Sequence, residues 1–208
     1  MISISQNDIK QYDKYYRTHL INSLTGFKSV SLIGSIDREG FTNLAIFSQI
    51  IHVGANPPLI GILFRPDTGA RHTLENIMNV QHFTINHIPA SHARHAHYTS
   101  ARWKTSEFEA CGFTPQFSEL LKAPYVKESP VQLGCEFVER QQIQANGTIL
   151  IIAEIKEIRV AEGTLLEDGF VDLEKAGSIT CSGLDSYHTT NKIARYSYAK
   201  AGKEPEEL

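Results

Sequence analysis

The sequence predicts a mainly β protein, an antiparallel barrel or sandwich of at least six strands with a helix at the start and a helical excursion in the middle. Three observations carry this. Short runs of β-branched and aromatic residues recur along the chain, several alternating with polar residues. Most are joined by brief turns such as Asp37-Arg38-Glu39-Gly40 and Asn146-Gly147, not by the long helical crossovers of a βαβ array. Helical spacing is confined to the N-terminus and to segments between Thr73 and Gly112.

In chain order, Asn7 to Leu24 carries Ile9, Tyr12, Tyr15, Tyr16, Leu20 and Ile21 at three- and four-residue intervals, an amphipathic helix with room for a break, ending near Gly26. Val30, Leu32 and Ile33 then lead into the polar turn at 37–40, and Phe41 to Ser48 resumes as a second strand, so the pair reads as a β-hairpin. A short loop follows. Leu59 to Phe64 is apolar on both faces and is entered through Pro57-Pro58, as expected of a strand buried on both sides. Thr73 to Met78 predicts a short helix capped by Thr73. Val80 to Ile88 is a further strand with Phe83 and Ile85 on one face and His82, Thr84 and Asn86 on the other, which should look toward something polar.

Ser91 to Ala101 reads as a helix, and Ser106-Glu107-Phe108-Glu109 as a capping box opening another that stops at Gly112. Val131, Leu133, Cys135 and Phe137 alternate with polar or small residues, and Thr148 to Val160 is rich in isoleucine. Asn146-Gly147 between them favours positive φ at both turn positions, so these strands should form a hairpin. Residues 1–208 read as one domain without repeats or linkers, and 202–208 as a loosely ordered, acidic tail.

Composition narrows the function classes. Lys plus Arg number 20 against 23 Asp plus Glu, a net charge of −3, which does not suit a polyanion-binding groove. The 3 cysteines are widely spaced with no C-x-x-C pair, so neither a disulfide framework nor a zinc ribbon is written here. With no signal-like apolar core near Met1 and no membrane-length apolar run, the expected setting is soluble, reducing and cytoplasmic.

Of 9 histidines, five lie between His82 and His97, which invites a metal hypothesis. Geometry argues against it. At roughly 100° per residue, His92 and His95 lie about 60° apart while His97 points about 140° from His92, so one helix cannot converge all three on an ion. Histidines lining a pocket or subunit surface fit better. The sequence lacks G-x-S-x-G, G-x-G-x-x-G and the G-x-x-x-x-G-K-[ST] phosphate loop, which removes the commonest hydrolase and parallel-sheet nucleotide signatures.

What stands out is Gly40-Phe41-Thr42-Asn43-Leu44-Ala45-Ile46-Phe47-Ser48, followed by Asn56-Pro57-Pro58-Leu59-Ile60 and Arg65-Pro66. Small Ala45 among Thr42, Asn43 and Ser48 leaves backbone groups accessible to a flat ligand edge, with hydroxyls for a polar tail. Together with Arg17 to Gly26, His72 to Ile77, Ile85-Asn86-His87-Ile88, Ala96 to Ala101, Ser106 to Glu109 and Gly183-Leu184-Asp185-Ser186-Tyr187, this segment resembles the flavin reductase-like family over nearly the full length.

The resemblance implies a six-stranded antiparallel split β-barrel, the FMN-binding split barrel, with FMN in a groove at a homodimer interface and hydride arriving from NADH or NADPH. It implies that Asn43, Leu44, Ala45, Ile46 and Ser48 line the flavin and its ribityl chain, with Asn86 in the same set. The FMN phosphate needs hydroxyls and a cation. Ser48, Thr73, Thr99 and Ser100 offer the former, and Arg65, Arg71 or Arg102 the latter. No catalytic side chain is expected, since hydride transfer needs the two rings aligned and no acid or base. Two functions are implied: an NAD(P)H-dependent flavin or small-molecule reductase, including the reductase partner of a monooxygenase, or a non-enzymatic FMN electron carrier without a nicotinamide site.

Overall fold

A computed structural model of the chain describes residues 1–66 and 72–208. The N-terminal helix is broken in two, α1 (Gln6–Gln11) and α2 (Lys14–Ser23), because Asp13 turns out of helical geometry and caps α2 through its carboxylate, which accepts from the amides of Tyr15 and Tyr16. Strands β1 (Lys28–Ser29), β2 (Ser31–Ile36) and β3 (Thr42–Phe47) follow, then β4 (Ile50–Ala55) and β5 (Pro58–Phe64). Helix α3 (His72–Val80) and β6 (His82–His87) precede a 3₁₀ turn at Ala90–His92, α4 (Ala93–Tyr98) and α5 (Glu107–Ala110). The chain then forms β7 (Pro115–Gln116), β8 (Tyr125–Val126), the long pair β9 (Val131–Gln142) and β10 (Ile149–Val160), and finally β11 (Thr180–Ser182) and β12 (Ser186–His188).

Seven strands make one antiparallel sheet in the order β3-β2-β6-β9-β10-β5-β4. Its two edge strands, β3 and β4, are consecutive in sequence and separated only by Ser48 and Gln49, so the sheet has to curl until its ends meet. The rings of Phe47 and Phe64 touch across that join at 4.9 Å, and Leu63 donates to the Gln49 carbonyl at 3.0 Å. The result is a barrel with a split between β3 and β4. It has one strand more than expected: Ile50–Ala55, read from sequence as loop, pairs with β5 from Ile50↔Ile62 to Ala55↔Pro58. The buried character expected of β5 holds for Gly61, Ile62 and Phe64, while Pro58, Leu59, Ile60 and Leu63 are half-buried.

Two apolar clusters hold the fold. Ile33, Ile62, Phe64, Phe83, Ile85, Cys135 and Ile151 fill the barrel, and α3 closes one end with Leu74 and Ile77. Outside it, Leu32 and Leu44 join Ile88, Ala96, Phe108, Val126 and Cys181 in a second cluster under α4, α5 and β11. Strand β2 therefore packs on both faces and is buried from Ser31 to Ser35.

Several local expectations change. Thr73 is the second residue of α3, not its cap. Ser106 does begin α5, but its hydroxyl makes no capping bond and instead reaches Thr42 Oγ1 at 2.8 Å. The expected helix from Ser91 is a 3₁₀ turn followed by a single short helix ending at Tyr98. The β9–β10 turn spans Ile143 to Thr148, with Gly147 at φ 77° and Asn146 outside the left-handed region. The tail folds back on itself, with Tyr196 opposite Glu207 and Lys200 opposite Lys203. No helix among the described residues is long and apolar enough to cross a membrane.

Candidate functional site

Because β3 pairs only with β2, alternate backbone groups along it face away from the sheet. Leu44 shows which ones: its amide donates at 3.0 Å to Glu107 Oε2 of α5. The contact beside it, between Thr42 and Ser106, fixes the start of the edge in the same way. Ile46, two residues on, has the same outward orientation. From Ala45 to Ser48 the strand is half-buried, so its side chains and edge are neither sealed in the core nor fully in water.

Beyond this edge lies the three-stranded sheet β1-β11-β12. Cys181, on β11, is buried and receives a hydrogen bond from Ser48. Burial pushes its thiol above the ordinary range, against the opposing pull of the Lys28 ammonium and the Ser48 hydroxyl. Tyr187 stands opposite Cys181 on β12 and packs, like Ile46, against the outer apolar cluster. Its hydroxyl is pushed up to about 12, first by burial and then by neighbouring Cys181 and Asp185, so the phenol keeps its proton at neutral pH. It bonds His97 Nδ1 at 2.7 Å, which ties β12 to α4. A surface is thus assembled from β3, β11, β12 and α4, with Ile46, Ser48, Tyr187 and His97 on it and Cys181 buried beneath.

The expected site residues divide. Ile46 and Ser48 come together along the half-buried edge, Ala45 between them turns its methyl to the barrel face opposite Ile33, and Leu44 contributes its backbone only, already held by Glu107. Asn43 and Thr73 lie on the other face of β3, in a buried polar network with Ser35 and Asn76. Asn43 Nδ2 donates to Thr73 Oγ1 at 2.9 Å and to Ser35 Oγ at 3.4 Å, and Asn76 Nδ2 to Ser35 Oγ at 3.1 Å. That network joins α3 to the barrel.

The other expected residues are engaged within the protein or stand apart from this edge. Asn86 is fully buried, with Nδ2 donating to Leu32 O and Thr84 Oγ1 and Oδ1 accepting from the Val126 amide. The polar face expected of its strand exists, but Pro124 to Val126 cover it. Thr99 and Ser100 sit at the C-terminal end of α4, where their hydroxyls donate to the carbonyls of Ala96 and His97 at 2.8 and 2.7 Å. Each hydroxyl has a single proton, so neither has one to give a phosphate, and a helix C-terminus disfavours an anion. Arg65 is exposed just past β5 and forms no ion pair among the described residues; Arg102 is also exposed, and Arg71 lies outside the described residues.

Sequence reasoning missed Glu107 as a partner of the strand edge and Cys181 as a neighbour of Ser48. The signal for Glu107 was present in the Ser106-Glu107 pair but was read as local capping. Nothing local marks Cys181, which meets Ser48 only through the pairing of β11 with β1.

A curled antiparallel sheet with a split edge, flanked by helices and a small second sheet, defines the split-barrel class of domains. The chain belongs to the family of the flavin reductase like domain, whose model matches residues 27–173. It is similar in structure to a Shewanella frigidimarina NCIMB 400 protein assigned as a flavin reductase with split barrel domain, at 46% identity and a TM-score of 0.92, over 96% of this chain and 100% of the other. Nitrilotriacetate monooxygenase component B from Bacillus cereus is 25% identical, with a TM-score of 0.80 over 94% of this chain and 98% of its own. Flavoredoxin of Desulfovibrio vulgaris (Miyazaki F) is 26% identical, with a TM-score of 0.70 over 85% and 91%.

Proposed function

We propose that the protein binds FMN along the outward edge of β3 and acts as an NAD(P)H-dependent flavin or small-molecule reductase. The observation that carries this is the half-buried stretch Ala45–Ser48 of an edge strand, whose Ile46 packs on the same apolar cluster as Tyr187, in a chain of the flavin reductase like domain family. The donor set fits the group. A flavin ring edge is a row of donors and acceptors that strand backbone such as that of Ile46 can satisfy. When bound, FMN supplies hydride acceptance and onward electron transfer. The chain's own part is to hold, orient and dry. Ser48 binds a polar atom of the side chain, the Leu44–Glu107 bond keeps the edge straight, and the protonated Tyr187 phenol, pinned by His97, walls the site without introducing a charge. Exposed Arg65 is the cation we assign to the phosphate.

Three further readings accompany this. The similarity to a monooxygenase component B supports a reductase role toward a monooxygenase, and the similarity to a flavoredoxin supports the electron-carrier alternative. Three buried thiols without disulfides suit a reducing, cytoplasmic setting. A homodimer is supported by area: the chain exposes 13216 Å², about 3,500 Å² more than a compact 23.3 kDa monomer should.

The test is optical. The purified protein, given FMN, should show a protein-bound flavin spectrum that bleaches under anaerobic NADH or NADPH. Bound flavin that neither nicotinamide reduces would leave the carrier reading, and failure to bind or quench FMN would overturn both.

A further inference from the structure

The ribbon β11–β12 has a second face. Residues directly opposite in an antiparallel pair share a face, and the register sets Thr180 opposite His188 and Ser182 opposite Ser186. Cys181 and Tyr187 therefore look toward Ser48, while these four look the other way. There, Ser182 Oγ and Ser186 Oγ both lie within hydrogen-bond distance of His188 Nε2, at 2.9 and 3.1 Å. Thr180 Oγ1, next along the same face, is buried without a partner among the described residues.

Helix α2 stands across from this face, and between them runs a groove of about 330 Å³ lined by Tyr16, His19, Leu20 and Ser23 on one side and Ser182, Gly183, Asp185 and Ser186 on the other. Its walls are fastened to each other: Lys28 Nζ donates to Asn22 O of α2 at 3.3 Å and to Gly183 O of the ribbon turn at 2.8 Å. The lining combines three kinds of group. Asp185 is an exposed carboxylate beside Gly183, Tyr16 is an aromatic ring 51% exposed, and the two serines are hydroxyls backed by an imidazole. A carboxylate accepts from a vicinal diol, an exposed aromatic face stacks on a planar base, and hydroxyls take the remaining polar atoms.

We propose that this groove is a ribonucleoside subsite in which Asp185 holds the ribose 2′- and 3′-hydroxyls and Tyr16 stacks on the base. It rests on the reductase reading above, since a dinucleotide donor whose nicotinamide meets the flavin has to lodge its second nucleoside nearby, and one ribbon separates the groove from Tyr187 and Cys181. Asp185 then sets specificity. Its charge accepts from a free 2′-hydroxyl and repels a 2′-phosphate, so the donor is NADH in preference to NADPH.

An NMR chemical-shift titration of the full chain with adenosine and with adenosine 2′-phosphate tests this without any turnover. Adenosine should shift resonances of Tyr16, Ser182 and Ser186 saturably, and adenosine 2′-phosphate should bind at least tenfold more weakly. Asp185→Asn, an exposed change that leaves the fold intact, should weaken adenosine about tenfold and reduce the discrimination, with FMN affinity unchanged. Absent or non-saturable shifts, tighter binding of the 2′-phosphate, or an unaltered Asp185→Asn would overturn the proposal. FMN binding without adenosine binding defeats the groove alone; adenosine binding without FMN binding defeats the flavin reading it rests on.

Discussion

Ser48 sits where β3 leaves the barrel, beside the buried Cys181 thiol. In the proposed complex its hydroxyl bonds a polar atom of the flavin. Ser48→Ala should therefore weaken FMN binding about tenfold with little change in Tm, the loss of one hydrogen bond near 1.4 kcal/mol; an unchanged fluorescence titration would remove Ser48 from the site. Asn43 should behave differently, because its amide ties β3 to Thr73 of α3 and to Ser35. Replacing it with Ala should lower stability by about 1–3 kcal/mol in denaturant unfolding. Both belong to the run from Thr42 to Ser48 and look equivalent there; Asn43 turns into the buried network beside α3, whereas Ser48 lies just past the end of β3. His87 provides a pH handle. Burial lowers its imidazole to about 4 from the ordinary 6.5, so the folded state resists a proton that the unfolded chain accepts. Its contribution is complete above about 6.5 and is lost as pH falls toward 4, a change of roughly 3 kcal/mol. Unfolding free energies measured between pH 7.5 and 4.5 should fall accordingly, and His87→Asn should flatten that slope.

At the scale of elements, the β3 edge depends on α5. Removing the carboxylate in Glu107→Ala leaves a buried Leu44 amide without its acceptor, which should destabilise by about 1–3 kcal/mol and loosen flavin as well. Strand β2 is equally constrained: a Cβ at Gly34 would overlap the Pro124 carbonyl and the Thr84 hydroxyl, so Gly34→Ala should lower stability by about 1–3 kcal/mol or more. A Tm equal to that of the parent chain for either variant would contradict this packing. The β2–β3 hairpin was legible in the sequence because a polar, glycine-ended turn separates two extended runs, and α1–α2 because of their three- and four-residue spacing. Strand β4 was not. Ile51 and Val53 are exposed on it, His52 and Gly54 interrupt the pattern, and its order comes from pairing with β5 rather than from its own residues. Asn86, Thr99 and Ser100 have partners the sequence does not announce: a polar residue on a strand or at a helix end can be satisfied from within, by Pro124 to Val126 in one case and by the preceding turn in the other.

For the molecule as a whole, the sequence made the antiparallel class readable, and with it the family. The closure of the barrel and the position of β11–β12 beside Ser48 depend on pairings between residues 85 or more apart, which no local pattern records. The same open architecture leaves β3 and β4 as edges and large apolar side chains such as Phe27, Ile193 and Tyr198 exposed. The excess surface of about 3,500 Å² exceeds the roughly 1,000–2,500 Å² per chain that obligate dimers bury. Light scattering at micromolar concentration should give twice 23.3 kDa, and a monomer would refute the homodimer.

The central claim is where the flavin lies. Hydrogen exchange of the intact chain, followed by mass spectrometry with and without saturating FMN, tests it most directly. Added FMN should slow exchange in peptides covering Leu44 to Ser48 and Tyr187, leaving the far end of β9–β10 unchanged. Protection confined to other segments, with the β3 peptides exchanging as before, would contradict it.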